Sequence, residues 1–261
     1  MSDVGMIRAK ELAATIASAS WNEFLEMESR YADDPRKQVQ SALSKARRRL
    51  EKEQREKDRV LGMYQLQRTL GGEGVVLGVD EVGRGAVAGP LTVAAVALPT
   101  DMPVWGINDS KQLSPSRREA LAQQIEQVAH AVGISHVPPE EIDAMGMAAA
   151  LRKAMREAIA NTGVDPDCVL IDGNPMHIHE RETCVVKGDA KIACIAAASI
   201  VAKVTRDALM VAYDALYPEY HLGECKGYAS SEHIEAIRQH GLCPIHRVSF
   251  CGNIVETPRL F

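Results

Sequence analysis

The chain has 261 residues, 46% of them hydrophobic and 25% charged, which is enough apolar material for a buried core and argues against general disorder. The formal net charge of −5 is unevenly spread: residues 1–74 hold 14 basic and 12 acidic side chains, residues 75–261 hold 16 and 23. No run approaches the roughly 18 apolar residues of a membrane span, and no charged-then-apolar leader opens the chain, so a cytoplasmic protein without membrane contact is expected.

From Met1 to about Gly72 the composition is that of helices, with no glycine between Gly5 and Gly62. Asp33-Asp34-Pro35 is an acidic cap followed by proline, and predicts a long helix running to about Leu70 and ending at Gly71-Gly72. Its basic stretch, ten Lys/Arg against four Asp/Glu over Arg36–Arg59, is either a solvated face or an added grip on duplex phosphates through Lys45, Arg47, Arg48 and Arg49.

After Gly74 strands and helices alternate. Val75–Asp80 and Leu91–Leu98 read as buried strands. Ser114-Pro115 opens a helix to about Ala129, with serine at the cap and proline at the first position. A strand at Ala131–Val137 precedes a helix from about Pro139 to Asn161. Short strands follow at Cys168–Asp172 and Thr183–Lys187, then a long helix from about Ala190 to Leu216. A final helix spans about Ser231–Gln239, stopped by Gly241. The expected organisation is a helical extension over residues 1–72 and an α/β domain over 73–261, a mixed sheet flanked by helices. The six cysteines lack C-x-x-C spacing and are expected as reduced, buried thiols. Cys225, His240, Cys243 and His246 match no usual zinc spacing.

The chemistry concentrates where apolar strands run into acids. Gly78-Val79-Asp80-Glu81-Val82-Gly83-Arg84-Gly85 takes a strand into two carboxylates, which is costly unless a cation neutralises them. Asp172 ends a second apolar strand, and Lys187-Gly188 leads a third to Asp189. Each acid alone could be a turn or a cap. Four hard oxygen donors together, with no Cys or His among them, suit Mg²⁺ or Mn²⁺ and fit two-metal phosphodiester chemistry. Neither the dinucleotide nor the P-loop glycine spacing is present.

The segments DEVGRGAVAGP, NDSKQLS, IDG, VKGDAKIACIAAASIVAKVTRD, CKGYASSEH and GLCPIHRVSF resemble bacterial ribonuclease HII, in that family's order and over about Val75–Phe250. The resemblance implies a ribonuclease H-like fold with Asp80, Glu81, Asp172 and Asp189 as its catalytic, metal-holding acids. It also implies that Gly83-Arg84-Gly85 reads a ribonucleotide 2′-hydroxyl and that Tyr228 stacks under the neighbouring deoxyribose. The implied reaction is metal-dependent cleavage of the RNA strand of RNA–DNA hybrids, and of duplex DNA 5′ to single embedded ribonucleotides, leaving 3′-hydroxyl and 5′-phosphate ends. Lys111 could meet a phosphate or be a plain surface lysine. Ser199, Lys203 and Arg206 share one helix face and could contact the nucleic-acid backbone, unless Lys203 instead pairs with Asp207. His246 and Arg247 are expected to pack or hydrogen-bond and not to catalyse. A monomer is expected. The rival readings are a catalytically silent reader of hybrid duplexes and a nuclease for all-DNA duplexes.

Overall fold

The structure, a computed structural model, describes residues 7–255; the first six residues of the expected extension and the last six of the expected α/β domain lie outside the described residues. The chain divides into two compact units, up to Arg59 and from Val60 onward.

The first unit is helical. It contains α1 (Ala9–Ser18), α2 (Trp21–Tyr31) and the greater part of α3 (Lys37–Gly71). Glu23 reaches back to accept from the Ser20 backbone N–H at 2.8 Å and its hydroxyl at 2.7 Å, fixing the start of α2 as a capping box does. On α3, Val39, Leu43, Ala46 and Leu50 recur at helical spacing and pack with Leu12, Ile16 and Phe24 into this unit's own core.

The second unit is built on a five-stranded sheet in the order β3-β2-β1-β4-β5. Its strands are β1 (Val76–Val82), β2 (Leu91–Ala97), β3 (Ala131–Val137), β4 (Cys168–Asp172) and β5 (Glu182–Val185). The β1–β2 and β2–β3 pairs are antiparallel, while β1–β4 and β4–β5 are parallel, so the sheet is mixed as expected. α4 (Pro115–Val128) and α7 (Ala193–Leu216) cover one face. α5 (Pro139–Met145) and α6 (Met147–Asn161) cover the other, against Leu77, Val79, Leu91 and Val93. Short α8 (Leu222–Cys225), then α9 (Ser231–His240) and α10 (Val248–Val255), form a third cluster with the 87–88 segment. Among the described residues no helix is long and apolar enough to cross a membrane.

Three details differ from the sequence reading. The helix expected over Pro139–Asn161 is two helices, broken at Gly146, whose φ is +78°. β1 does not stop at the acids: Asp80 and Glu81 stay in register with Ala94 and Val93, and the strand runs to Val82. α10 was not anticipated, since eight residues give too few turns for a helical period to stand out.

Helix α7 lies directly on β1 at Gly78. A Cβ there would sit 2.1 Å from the Cys194 carbonyl carbon and 2.3 Å from the Ile195 nitrogen. Glycine is the residue that lets the helix backbone touch the strand, and this contact sets how near α7 comes to the two acids that follow.

Candidate active site

Parallel pairing of β1 and β4 puts Val79 opposite Ile171, so Asp80 and Asp172 are the next neighbours across the pair, on strands about 4.8 Å apart. Val79 and Ile171 point into the α6 side. By alternation Asp80 and Asp172 both point to the α7 side. The chain then leaves β5, passes Lys187 at φ +57° and makes a short 3₁₀ turn, Gly188–Ala190, that carries Asp189. The Gly188 N–H donates to Asp172 Oδ1 at 2.6 Å and ties that turn to the end of β4.

The electrostatics show the four acids as one group. Asp80 is 4% exposed, and its carboxyl is raised well above the usual range by burial, then by the charges of Glu81 and Asp172, with a Ser199 hydrogen bond pulling the other way. Burial raises Glu81, opposed by Arg84 and reinforced by Asp172. Burial also raises Asp189, reinforced by Asp172 and Asp109 and opposed by Lys111. The cations present are sparse: Arg84 Nη1 lies 3.7 Å from Glu81, and Lys111 Nζ lies 3.7 Å from Asp189 and 3.9 Å from Asp109. Partial desolvation opposes the charge of Lys111, yet Asp109, Asp189, Asp80 and Asp172 together hold its pKa up.

This set of clustered, under-neutralised carboxylates matches the oxygen-donor chemistry of Mg²⁺ and Mn²⁺. Among the described residues no group of three or more Asp, Glu, His or Cys side chains is arranged to hold a metal ion by itself. Mg²⁺ seldom needs one, since it keeps several waters and takes one or two carboxylates together with substrate phosphate oxygens.

The 83–90 segment beside the acids is held from below. Arg247 is fully buried and donates to the carbonyls of Gly83 (2.7 Å), Ala86 (2.8 Å) and Gly89 (2.8 and 3.0 Å). Burial, then repulsion from Arg206, lowers its pKa to about 10. Arg206, also fully buried, donates to Pro90, Lys226 and Ala88. This corrects the expectation that Arg206 faces a phosphate: its guanidinium is enclosed and its donors are engaged by carbonyls. Ser199 is likewise buried, 3.0 Å from the Ser110 hydroxyl and hydrogen-bonded to Asp80, so it positions an acid and does not meet the nucleic-acid backbone. Lys203 pairs with Asp207 at 2.8 Å.

The glycines of the loop differ in a telling way. Gly83 has φ +86°, and a Cβ there would come 2.3 Å from Arg206 Nε, so the fold itself requires glycine. At Gly85 φ is not in the positive range, and a Cβ would meet nothing of the chain within 4 Å. Nothing internal calls for glycine at 85. Arg84 between them is 65% exposed.

Tyr228 is 38% exposed, with Arg206 Cζ 5.5 Å from its ring centre. Its segment is fastened to the loop through Gly227, whose carbonyl accepts from Val87 and Ala88. It is also fastened to a buried histidine pair. The Cys243 N–H donates to His246 Nδ1 at 3.0 Å, which makes His246 Nε2 the donor to His233 Nε2, also at 3.0 Å. His233 Nδ1 then donates to the Tyr228 carbonyl at 2.9 Å. Only neutral rings fit this chain of bonds. Burial, then His233, pushes His246 down from 6.5 to about 4. The folded state therefore binds fewer protons than the unfolded state between these values, and stability rises with pH there. The contribution, present above pH 6.5 and lost by about pH 4, is about 3 kcal/mol. Urea titrations across this range should show the slope in the wild type and a flattened one in His246→Gln.

All six cysteines are free. The Arg206 and Arg247 anchoring could not be read from the sequence, because all their carbonyl partners except Lys226 lie more than a hundred residues away.

The mixed sheet, its helical layers and acids on neighbouring strands define a protein of the ribonuclease H-like fold. The ribonuclease H2 of Pyrococcus horikoshii shares it, with a TM-score of 0.58 and 29% identity over 69% of this chain and 97% of that one. Residues 77–253 match the family Ribonuclease HII and residues 8–71 match the Ribonuclease HII N-terminal domain. The chain is 45% identical to ribonuclease HII of Listeria monocytogenes serotype 4b over 83% of its length and 84% of that protein's. It is 50% identical to ribonuclease HII of Thermotoga maritima over 68% of its length and 73% of that protein's. The chain belongs to the ribonuclease HII family, a family of endonucleases with ribonuclease H activity.

Proposed function

We propose that this enzyme hydrolyses the RNA strand of RNA–DNA hybrids and cuts duplex DNA 5′ to single embedded ribonucleotides, in the cytoplasm, as a monomer, with Mg²⁺ or Mn²⁺. In this reading the catalytic unit occupies residues 73–261 and the helical extension residues 1–72. Asp80, Glu81, Asp172 and Asp189 would hold the metal. Divalent cations bound there supply charge stabilisation at the scissile phosphate and acidify water. Ser199 and the Glu81 N–H orient Asp80, Gly188 orients Asp172, and Lys111 offers a mobile charge beside Asp189 for a phosphate oxygen. Gly83, Arg84 and Gly85 present backbone to the sugar, and Tyr228 offers an exposed ring as a stacking surface. Lys203, engaged by Asp207, is assigned at most a peripheral phosphate contact.

The observation that carries the reading is Gly85. It is a glycine without internal need, in a rigidly held loop beside four acids, and a close-approaching sugar explains it. The test is cleavage of a duplex with one central ribonucleotide, with its ends mapped, beside an all-DNA duplex. Wild type should cut the first on the 5′ side of the ribonucleotide and leave the second intact. Gly85→Ala should keep its unfolding midpoint and lose at least about tenfold in kcat/KM, about 1.4 kcal/mol, whereas Gly83→Ala should lose stability. Equal cleavage of the all-DNA duplex, or full activity in Gly85→Ala, refutes ribonucleotide recognition here.

A further inference from the structure

Within the first unit, α3 carries four cations on one exposed stripe. Lys45, Arg48, Lys52 and Arg55 are all exposed, and at 3.6 residues per turn they fall within a sector of about 80°. Two cations expected to join them are committed elsewhere: Arg47 pairs with Glu28 and Glu51, and Arg49 with Glu53 and the Ala19 carbonyl. Lys45, Arg48 and Lys52 make no ion pair or hydrogen bond among the described residues. Arg55 has only a long contact to Glu51, at 3.9 Å.

We propose that this stripe is a second nucleic-acid contact, gripping duplex phosphates independently of base or sugar identity. From Lys45 to Arg55 the helix rises about 15 Å, the axial length of about four nucleotides at roughly 3.4 Å per step of one strand. The surroundings favour a polyanion over a protein. Protein interfaces centre on apolar and aromatic side chains and are depleted in charge at the core, whereas nucleic-acid interfaces are polar and positive. The stripe's neighbours on the helix are Lys37, Gln38, Ser41 and Ser44, together with Glu51, which Arg47 and Arg55 engage, and Glu56, which Arg59 engages; the exposed large hydrophobics described in this unit, Ile7 and Leu25, lie outside α3. The inference rests on the proposed function only in taking a duplex as the polyanion.

The test is binding of the full chain to a short hybrid and to its all-DNA counterpart, in chelator so that nothing is cut, across a salt series. Each phosphate neutralised contributes about 0.9 to the slope of log affinity against log salt. Lys45→Gln/Arg48→Gln/Lys52→Gln should therefore flatten the slope by almost three on both duplexes. Between 50 and 200 mM salt the wild type then loses about 40-fold more affinity than the variant. A control removing the same charge elsewhere in the unit, Lys10→Gln/Arg30→Gln/Lys57→Gln, should keep the wild-type slope, as should Lys45→Arg/Lys52→Arg. An unchanged slope in the stripe variant, an equal loss in the control, or a loss in the arginine variant overturns the proposal. Cleavage is not read here, so loss of ribonucleotide-specific cutting would leave this result standing.

Discussion

Asp80→Asn should abolish cleavage and, in chelator, make the protein harder to unfold. The two effects have one cause. Asp80 is buried against Glu81 and Asp172, and its pKa is raised well above its ordinary value. A carboxyl whose folded pKa exceeds its unfolded one holds more protons in the folded state, so stability falls as pH rises through that window. Ionising Asp80 among these neighbours therefore costs stability that the isosteric amide does not lose. A bound cation supplies several kcal/mol of charge stabilisation, and losing about 4 kcal/mol corresponds to about 10³-fold in kcat. Metal should reverse the stability order: an ion at a hundred times its Kd adds about 2.7 kcal/mol to the wild type, roughly 5–10 °C at the 2–4 °C per kcal/mol expected for this size. The variant should gain far less. Thermal melts with and without Mg²⁺ or Mn²⁺, beside a turnover assay, check both halves. A variant that keeps full turnover would remove Asp80 from the metal site.

Arg247→Met is expected to be severely destabilised although Arg247 touches none of the four acids. Its guanidinium satisfies the carbonyls of Gly83, Ala86 and Gly89 inside the protein. Methionine has similar bulk but no donors, so three carbonyls are left to find water or go without, at about 1–3 kcal/mol each. The expected loss is above about 4 kcal/mol, a size reserved for broken buried networks. Arg247→Lys should rescue little, because one ammonium cannot reproduce the planar fork. Urea midpoints at constant m-value are the measurement. A change below about 1 kcal/mol would show that the loop holds itself.

Much of this was legible because it is local. The five strands and the long helices announced themselves by apolar runs and capping residues: Ser114-Pro115 does open α4, with the Ser114 hydroxyl accepting from Arg117. The acids at 80, 81, 172 and 189 stood out as carboxylates in apolar company. What the sequence hid is relational. Spacing placed Arg206 on a face with Ser199 and Lys203, but only the fold shows that the Arg206 guanidinium turns inward to meet Pro90, Ala88 and Lys226. The break at Gly146 was invisible because helical periodicity continues on both sides. The pairing of His233 with His246 joins residues 13 apart through a turn no pattern encodes.

The two enclosed arginines also bear on an acidic domain having to admit a polyanion. Arg206 and Arg247 form no ion pair among the described residues; they are solvated by carbonyl dipoles and feel one another. Charge kept away from water is weakly screened by salt, so its field leaks out through the loop above it. A duplex bound at that loop, as proposed, would feel two positive charges that it never touches. Inside the protein the two cations are less screened than exposed lysines, and they offset part of the negative charge of the carboxylates next door.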